Sequence, residues 1–333
     1  MKGFLRKHSY LLGRIGRYLI ILYIIVSINF LIPRVMPGDP VINLLGEDAG
    51  QASQEDLDRL REKYGIDAPI GEQYVVYLSS LVQLDLGYSI HKKGAVSDLL
   101  VDRMGATMKL VLPAVLIGAA MALVAGSVAG FHSNRPVDRA LTSTAVILYS
   151  VPTFLLGMVA LAVFSAWLGW FPMGQLSSGG KEGLDAFLDS VHHLFLPVMV
   201  LAVSGTCSKF LVLRNAIHQI RDEYFIFVAD AKGLPDRIIA FRHVLRNVLP
   251  QFISMVALSF GFMLSGALLI EIVFSLRGMG TLTYDAVIAR DYPVLQGVFL
   301  VLTVTVLLAN LIAEILYGVA DPRIRHSQSV AQR

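Results

Sequence analysis

Apolar runs and polar stretches alternate along this chain, and the polar stretches are of two kinds. The runs are Tyr18–Ile32, Ala106–Phe131, Ala140–Trp170, Leu194–Leu213, Val248–Phe274 and Val294–Val319. Each run after the first reaches the roughly 20 residues that a helix needs to cross the hydrocarbon core, and the longest have room to tilt or to begin outside it. Pro113, Pro152 and Pro197 stand inside these runs, where packed neighbours can satisfy the backbone groups a proline frees. The pattern predicts an all-α, polytopic membrane protein with six transmembrane helices and both termini on the same side.

The first polar kind is acidic. Pro37-Gly38-Asp39-Pro40 reads as a turn just past the first run, and Val41–Arg103 then carries Glu55, Asp56, Asp58 and Glu62. Ser53 is placed to cap a helix with acids in its first turn, continued by Leu57, Leu60, Arg61 and Tyr64. The second kind is basic. Glu223–Pro250, EYFIFVADAKGLPDRIIAFRHVLRNVLP, holds Lys232, Arg237, Arg242 and Arg246, and its length predicts two short helices hinged at Gly233. Such a stretch is far too charged to lie in lipid and reads as a docking surface for another protein.

Charge sets the orientation. Lys2, Arg6, Lys7, Arg14 and Arg17 precede the first run with no acid among them, and Arg135, Arg139 and the Lys209–Arg246 stretch fall on the same side of the predicted topology. Loops rich in Lys and Arg stay in the cytoplasm. Residues 1–17 are therefore expected to be a cytoplasmic amino-terminal segment, 18–33 the first transmembrane helix and 34–105 an extracytoplasmic loop. Residues 106–325 then form the transmembrane core, with a cytoplasmic loop at 214–247, and 326–333 a cytoplasmic tail. A signal peptide would share the basic start, but no small-residue cleavage site follows it.

Composition agrees with a polytopic membrane protein: 333 residues, 55% hydrophobic, 16% charged, mean hydropathy +0.63, against about a quarter charged for soluble domains. A net charge of +3 is too small to point to nucleic acid, and the single cysteine, Cys207, rules out a disulfide framework. Gly179-Gly180-Lys181 lacks the leading glycine spacing and the Ser/Thr of a phosphate loop, and no serine-hydrolase elbow or zinc pattern occurs. Enzyme chemistry and ATP hydrolysis by this chain are thereby disfavoured.

Charges near the membrane are the remaining candidates. Glu271 reads either as lining the outer mouth of a path or as a local helix-end contact; Glu314 reads as structural, and Lys109 and Lys209 as snorkelling to an interface. Gly126-Ser-Val-Ala-Gly130 permits close helix approach, within the chain or toward a partner. Adjacent His192 and His193 do not converge on one ion and read as interfacial.

The stretch Ala229–Gly233, with His243, Arg246, Asn247 and Pro250 behind it, resembles the cytoplasmic loop of ABC-importer permeases. Phe227-Val228-Ala229 stand where the wider family has Glu-Ala-Ala, and the later proline fits the peptide-transporting branch. "RVMPGDP" near the first run, "DLGYSI" after it, "GALLIEIVFSLRGMGTL" (Gly266–Leu282), "ARDYPVLQG" (Ala289–Gly297) and "YGVADPRIR" (Tyr317–Arg325) resemble that branch in the expected order, with Arg277 where proline is usual.

The resemblance implies the type I ABC importer permease fold and half of a translocation path for di- or oligopeptides. It implies as partners a second homologous permease, two cytoplasmic ATPase subunits that bind ATP and Mg, an extracytoplasmic solute-binding protein and the lipid bilayer. No cofactor or metal on this chain is implied. By the same resemblance, Glu223, Tyr224, Ala229, Asp230, Ala231, Lys232, Gly233, His243, Arg246 and Asn247 form an ATPase-coupling loop, and Glu271 and Asp291 border the path. Nickel or a metal chelate is the alternative cargo. An autonomous channel or ion-driven transporter would need paired midplane charges and an internal repeat, and it would leave the Gly233 loop unexplained.

Overall fold

The computed structural model describes the backbone of residues 2–35, 53–55, 59, 68–89 and 91–320, and the side chains of 16–32, 53–55, 59, 68–89, 91–264 and 266–315. The expected turn at Pro37–Pro40, the helix through Leu57, Leu60 and Tyr64, and the tail from Asp321 lie outside the described residues. The elements are almost all helical: α1 (Lys2–Val35), α2 (Ile70–Val82), α3 (Val96–Phe131), α4 (Pro136–Ser150), α5 (Thr153–Ala160), α6 (Gly183–Arg221), α7 (Tyr224–Ala231), α8 (Asp236–Ile238), α9 (Arg246–Gly266), α10 (Leu268–Val273), α11 (Met279–Ile288) and α12 (Tyr292–Ala320). A small antiparallel hairpin of β1 (Tyr88–Ser89) and β2 (Gly94–Ala95) precedes α3.

Among the described residues, Val96–Phe131, Gly183–Arg221, Asp236–Leu264 and Tyr292–Ile315 are long and apolar enough to cross a membrane, and α1 contributes the shorter apolar stretch Gly16–Ile32. Pro136–Ser150 and Thr153–Trp167 are apolar and long enough only as a pair, and they are bent by 97°. The unbroken run expected over Ala140–Trp170 is thus corrected to two helices. The cause is Pro152, whose ring disfavours helical geometry at the residue before it; Val151 is extended, at φ −90° and ψ 127°. The run expected over Val248–Phe274 is also interrupted, between α9 and α10 at Ala267. Helix α3 begins ahead of the expected boundary at residue 106, and α6 carries helix to Arg221, so little of 214–247 is irregular.

The chain divides into two compact units. Unit one comprises Met1–Gly105 and Gly278–Leu307. Its apolar centre is Val96, Leu100, Met279, Leu282, Val294 and Val298. Gly297 allows α12 to close on α3: a Cβ there would lie 2.7 Å from Val96 Cγ1. Asn29, 2% exposed, donates to the Gln296 carbonyl at 2.8 Å, and Gln296 Nε2 returns a bond to the Asn29 carbonyl at 3.3 Å. The hairpin is pinned by Ser89, which donates to Asp291, and by the Lys92–Asp285 ion pair at 2.8 Å.

Unit two comprises Ala106–Arg277 and Leu308–Arg333. Its spine is the contact of α3 with α6, made by small residues. A Cβ on Gly118 would meet the Ala202 carbonyl oxygen at 2.8 Å; one on Gly126 would meet Leu213 Cδ2 at 3.0 Å, and one on Gly130 would meet Ile217 Cγ2 at 2.7 Å. Thr206 adds a bond to the Gly118 carbonyl at 3.1 Å. The Gly126–Gly130 pair therefore packs within the chain. Across the same helix, Arg214 grips Asp138 with both Nε and Nη2 at 2.6 Å, and Asp138 is 1% exposed.

Candidate functional site

Helix α7 is built to show one face. Glu223, extended at φ −73° and ψ 142°, starts it, and its carbonyl accepts the first bond from Ile226 N at 2.9 Å. Ile226 and Ala229 are buried against Ile217, Ile239 and Val244. Glu223, Tyr224, Asp230, Ala231 and Lys232 face away from that core and are exposed. The helix stops in a full Schellman motif: Gly233 N bonds the Asp230 carbonyl at 2.8 Å, Leu234 N bonds the Ala229 carbonyl at 3.3 Å, and Gly233 takes φ +73°. No atom lies within 4 Å of where a Gly233 Cβ would sit. Conformation, and not space, requires glycine there.

The chain then restarts at once. Pro235 leads into α8, and the helix runs on through a π-helical turn, Ile239–Leu245, into α9. His243 is half-buried, its carbonyl accepting from Asn247 Nδ2 at 2.5 Å, while Arg246 and Asn247 are exposed. The loop residues singled out in the sequence thus share one helical elbow, except that Ala229 is core.

Sequence reasoning singles out Tyr224 on the elbow's most apolar surface but misses Phe227 and Phe241. Phe227 is 67% exposed, Phe241 70% and Tyr224 78%, with the Tyr224 and Phe227 rings 6.3 Å apart. The i, i+3 spacing of Tyr224 and Phe227 was a readable signal. Phe241 was not readable, because it lies in the π-helical turn.

Glu271 lies on the short α10 and is fully buried, accepting a bond of 2.6 Å from Thr107 Oγ1. Asp291 is also buried; besides Ser89, its carboxylate faces the Val294 amide at 3.4 Å as a cap on α12. Each carboxylate is thus engaged by a hydroxyl distant in the chain. Elsewhere in unit two, Asp189 draws Lys181 and the Ser178 amide (2.7 Å) onto the start of α6, beside an open cavity of about 660 Å³ lined also by Glu182, Asp185 and His192. His192 Nε2 meets the Trp170 carbonyl at 3.0 Å and His193 Nδ1 the Asp189 carbonyl at 2.9 Å, so the two rings serve different contacts.

Lys209 requires a correction. In place of snorkelling, it is 1% exposed, and its ammonium donates to the Gly205 carbonyl one turn back, at 2.8 Å.

A helical membrane chain with an exposed, glycine-stopped elbow has close parallels. The family model described as binding-protein-dependent transport system inner membrane component matches residues 122–326, and that of its N-terminal part matches residues 7–111. The chain belongs to this family. It is 32% identical to the oligopeptide transport system permease protein AppB of Bacillus subtilis (strain 168), over 96% of this chain and 99% of that one. It is 33% identical, with the same coverage, to the di/tripeptide transport system permease protein DppB of Pseudomonas aeruginosa (strain UCBPP-PA14). The glutathione transport system permease protein GsiC of Escherichia coli O6:H1 is 32% identical, over 96% of this chain and 99% of that one. The fold also matches a solved structure of the MetNI methionine ABC transporter, facing inward, with a TM-score of 0.55 at 16% identity, over 67% of this chain and 96% of that one.

This binding-protein-dependent permease is a multi-pass protein of the inner membrane and a subunit of an ATP-driven ABC importer. It is not an enzyme; the ATP is hydrolysed by separate ATPase subunits. As a family member it works with ATPase and binding-protein partners.

Proposed function

We propose that this permease forms half of the translocation path for di- and oligopeptides, the other half coming from a second, similar permease, with two ATPase subunits below and a solute-binding protein above. Likeness along nearly the whole chain to relatives named for oligopeptide and di/tripeptide transport carries the peptide reading. Both termini and the α7 elbow face the cytoplasm in this reading, in line with the basic residues at Lys2–Arg17 and Lys232–Arg246. Residues 34–105 face outward.

Helix α7 sits in a groove of an ATPase subunit, and the elbow passes nucleotide-driven closure to α6 and α9. Glu223, Tyr224, Asp230, Lys232 and Gly233 form the contact or set its angle, with Arg246 and Asn247 behind them. Glu271 and Asp291 stand at the outer mouth, where their hydrogen bonds to Thr107 and Ser89 must open before either carboxylate can face cargo. ATP and Mg bind the partners, and this chain carries no cofactor.

The test is purification of the subunit from its native membrane, followed by reconstitution with whatever accompanies it. Two ATPases, a second permease and ATP-dependent uptake of labelled di- and oligopeptides are expected. Uptake restricted to nickel or a metal chelate would overturn the cargo. Recovery of the chain alone, transporting without ATP, would overturn the assembly.

A further inference from the structure

Lys209 is a buried cation that the reading above does not use. Among the described residues its ammonium has one hydrogen-bond partner, the Gly205 carbonyl, and no carboxylate lies within ion-pairing distance. An ammonium carries three donors, so two of them are uncommitted in a nearly dry setting. A buried charge is ordinarily paired or bonded on every side.

The surroundings are built to yield. Gly205 has no side chain, and the space where its Cβ would stand is taken by Met263 of α9, whose Cε would be only 2.2 Å from that atom. The same hypothetical Cβ would lie 3.3 Å from Lys209 Nζ. The Met263 methyl and the ammonium thus share one small space between α6 and α9. Met263 is a flexible, unbranched side chain able to vacate it. Withdrawal of that one methyl group opens space beside the ammonium. A carboxylate is the anion whose two oxygens match its two uncommitted donors.

We propose that Lys209 binds the C-terminal carboxylate of the peptide as it passes this subunit's half of the path, which makes it a specificity-determining residue for free-acid cargo. This inference rests on the peptide-import reading. It deepens that reading by naming the group on the cargo that the membrane subunit itself recognises.

The complete importer, with its binding protein and ATPases, is reconstituted in vesicles. One peptide is supplied either as the free acid or as the C-terminal amide, loaded on the binding protein to equal occupancy so that the receptor's own preference cancels. The wild type is expected to import the acid faster, by about tenfold, as for a charge-assisted hydrogen bond in a dry site. Lys209→Met is expected to bring the ratio to near one by slowing the acid while leaving the amide unchanged.

An unaltered ratio, or an equal loss for both peptides, overturns the proposal and leaves peptide import standing. If Lys209→Met does not assemble, Lys209→Gln is read on the same ratio. If the wild-type importer moves neither peptide under ATP, the peptide reading and this inference fall together.

Discussion

Helices α6 and α7 are separated by two residues and bury opposite amounts of themselves. Helix α6 is packed over its middle: Leu196, Ala202, Phe210, Leu213 and Ile217 are buried, and Gly118, Gly126 and Gly130 bring α3 against it. Helix α7 buries only Ile226 and Ala229 and leaves Tyr224 and Phe227 to solvent. One helix is completed by its own chain, whereas the other lacks a covering surface. A lone aromatic on a surface is ordinary, but a stacked pair on a short, rigidly stopped helix resembles the anchor of an interface. The contrast places stability in the α3–α6 contact and is what the proposed docking of α7 on an ATPase subunit requires.

Substitutions can break that division, and the largest effect is expected at Gly233. Any side chain at φ +73° carries the left-handed backbone cost, and arginine adds a long, charged group on the proposed contact face. Gly233→Arg is expected to leave the protein in the membrane and abolish ATP-driven uptake, read by immunoblot beside transport. Normal uptake would remove the elbow from the mechanism.

Next comes the other side of the comparison. Gly130→Leu drives a side chain into Ile217 and the Arg214 carbonyl, and overpacking of this kind costs about 1–3 kcal/mol. Detergent-solubilised protein should lose thermal stability and membrane abundance together. Unchanged melting would show that α3 and α6 are not held by this contact.

A finer division comes from the aromatics. Joint Tyr224→Ala and Phe227→Ala substitution should change stability by no more than about 0.5 kcal/mol, because both rings are exposed, yet weaken ATPase binding by roughly tenfold or more as interface anchors do. A loss of stability without a loss of affinity would reverse the assignment. The smallest effect belongs to Gly233→Ala, which meets no atom and pays only for left-handed backbone, about 1 kcal/mol. Partial uptake should remain, graded between wild type and Gly233→Arg.

Much of this was legible because it is local. A run of some 20 apolar residues has few fates other than crossing a bilayer, and a glycine after a helical segment marks its end. The ordered motifs from "RVMPGDP" to "YGVADPRIR" pointed to the family on their own. The places where expectation failed share a different cause. The 97° bend at Val151–Pro152 has a local proline, but Pro113 and Pro197 sit inside helices that continue. A proline in the sequence does not by itself say which helix will break. The β1–β2 hairpin is too short to show a period, and it exists beside Ser89–Asp291 and Lys92–Asp285, bonds between residues about 200 positions apart.

The amino-acid sequence by itself therefore determined that the chain is helical, crosses the membrane repeatedly and belongs with importer permeases, since hydropathy and turn chemistry act over a few residues. Tertiary structure alone decided which charges are hidden. Lys209 resembles any helix-end lysine until Gly205 and Met263 close over it, and Glu271 resembles a mouth carboxylate until Thr107 reaches it from another helix. Burial is a property of neighbours distant in the chain, and no local pattern encodes it.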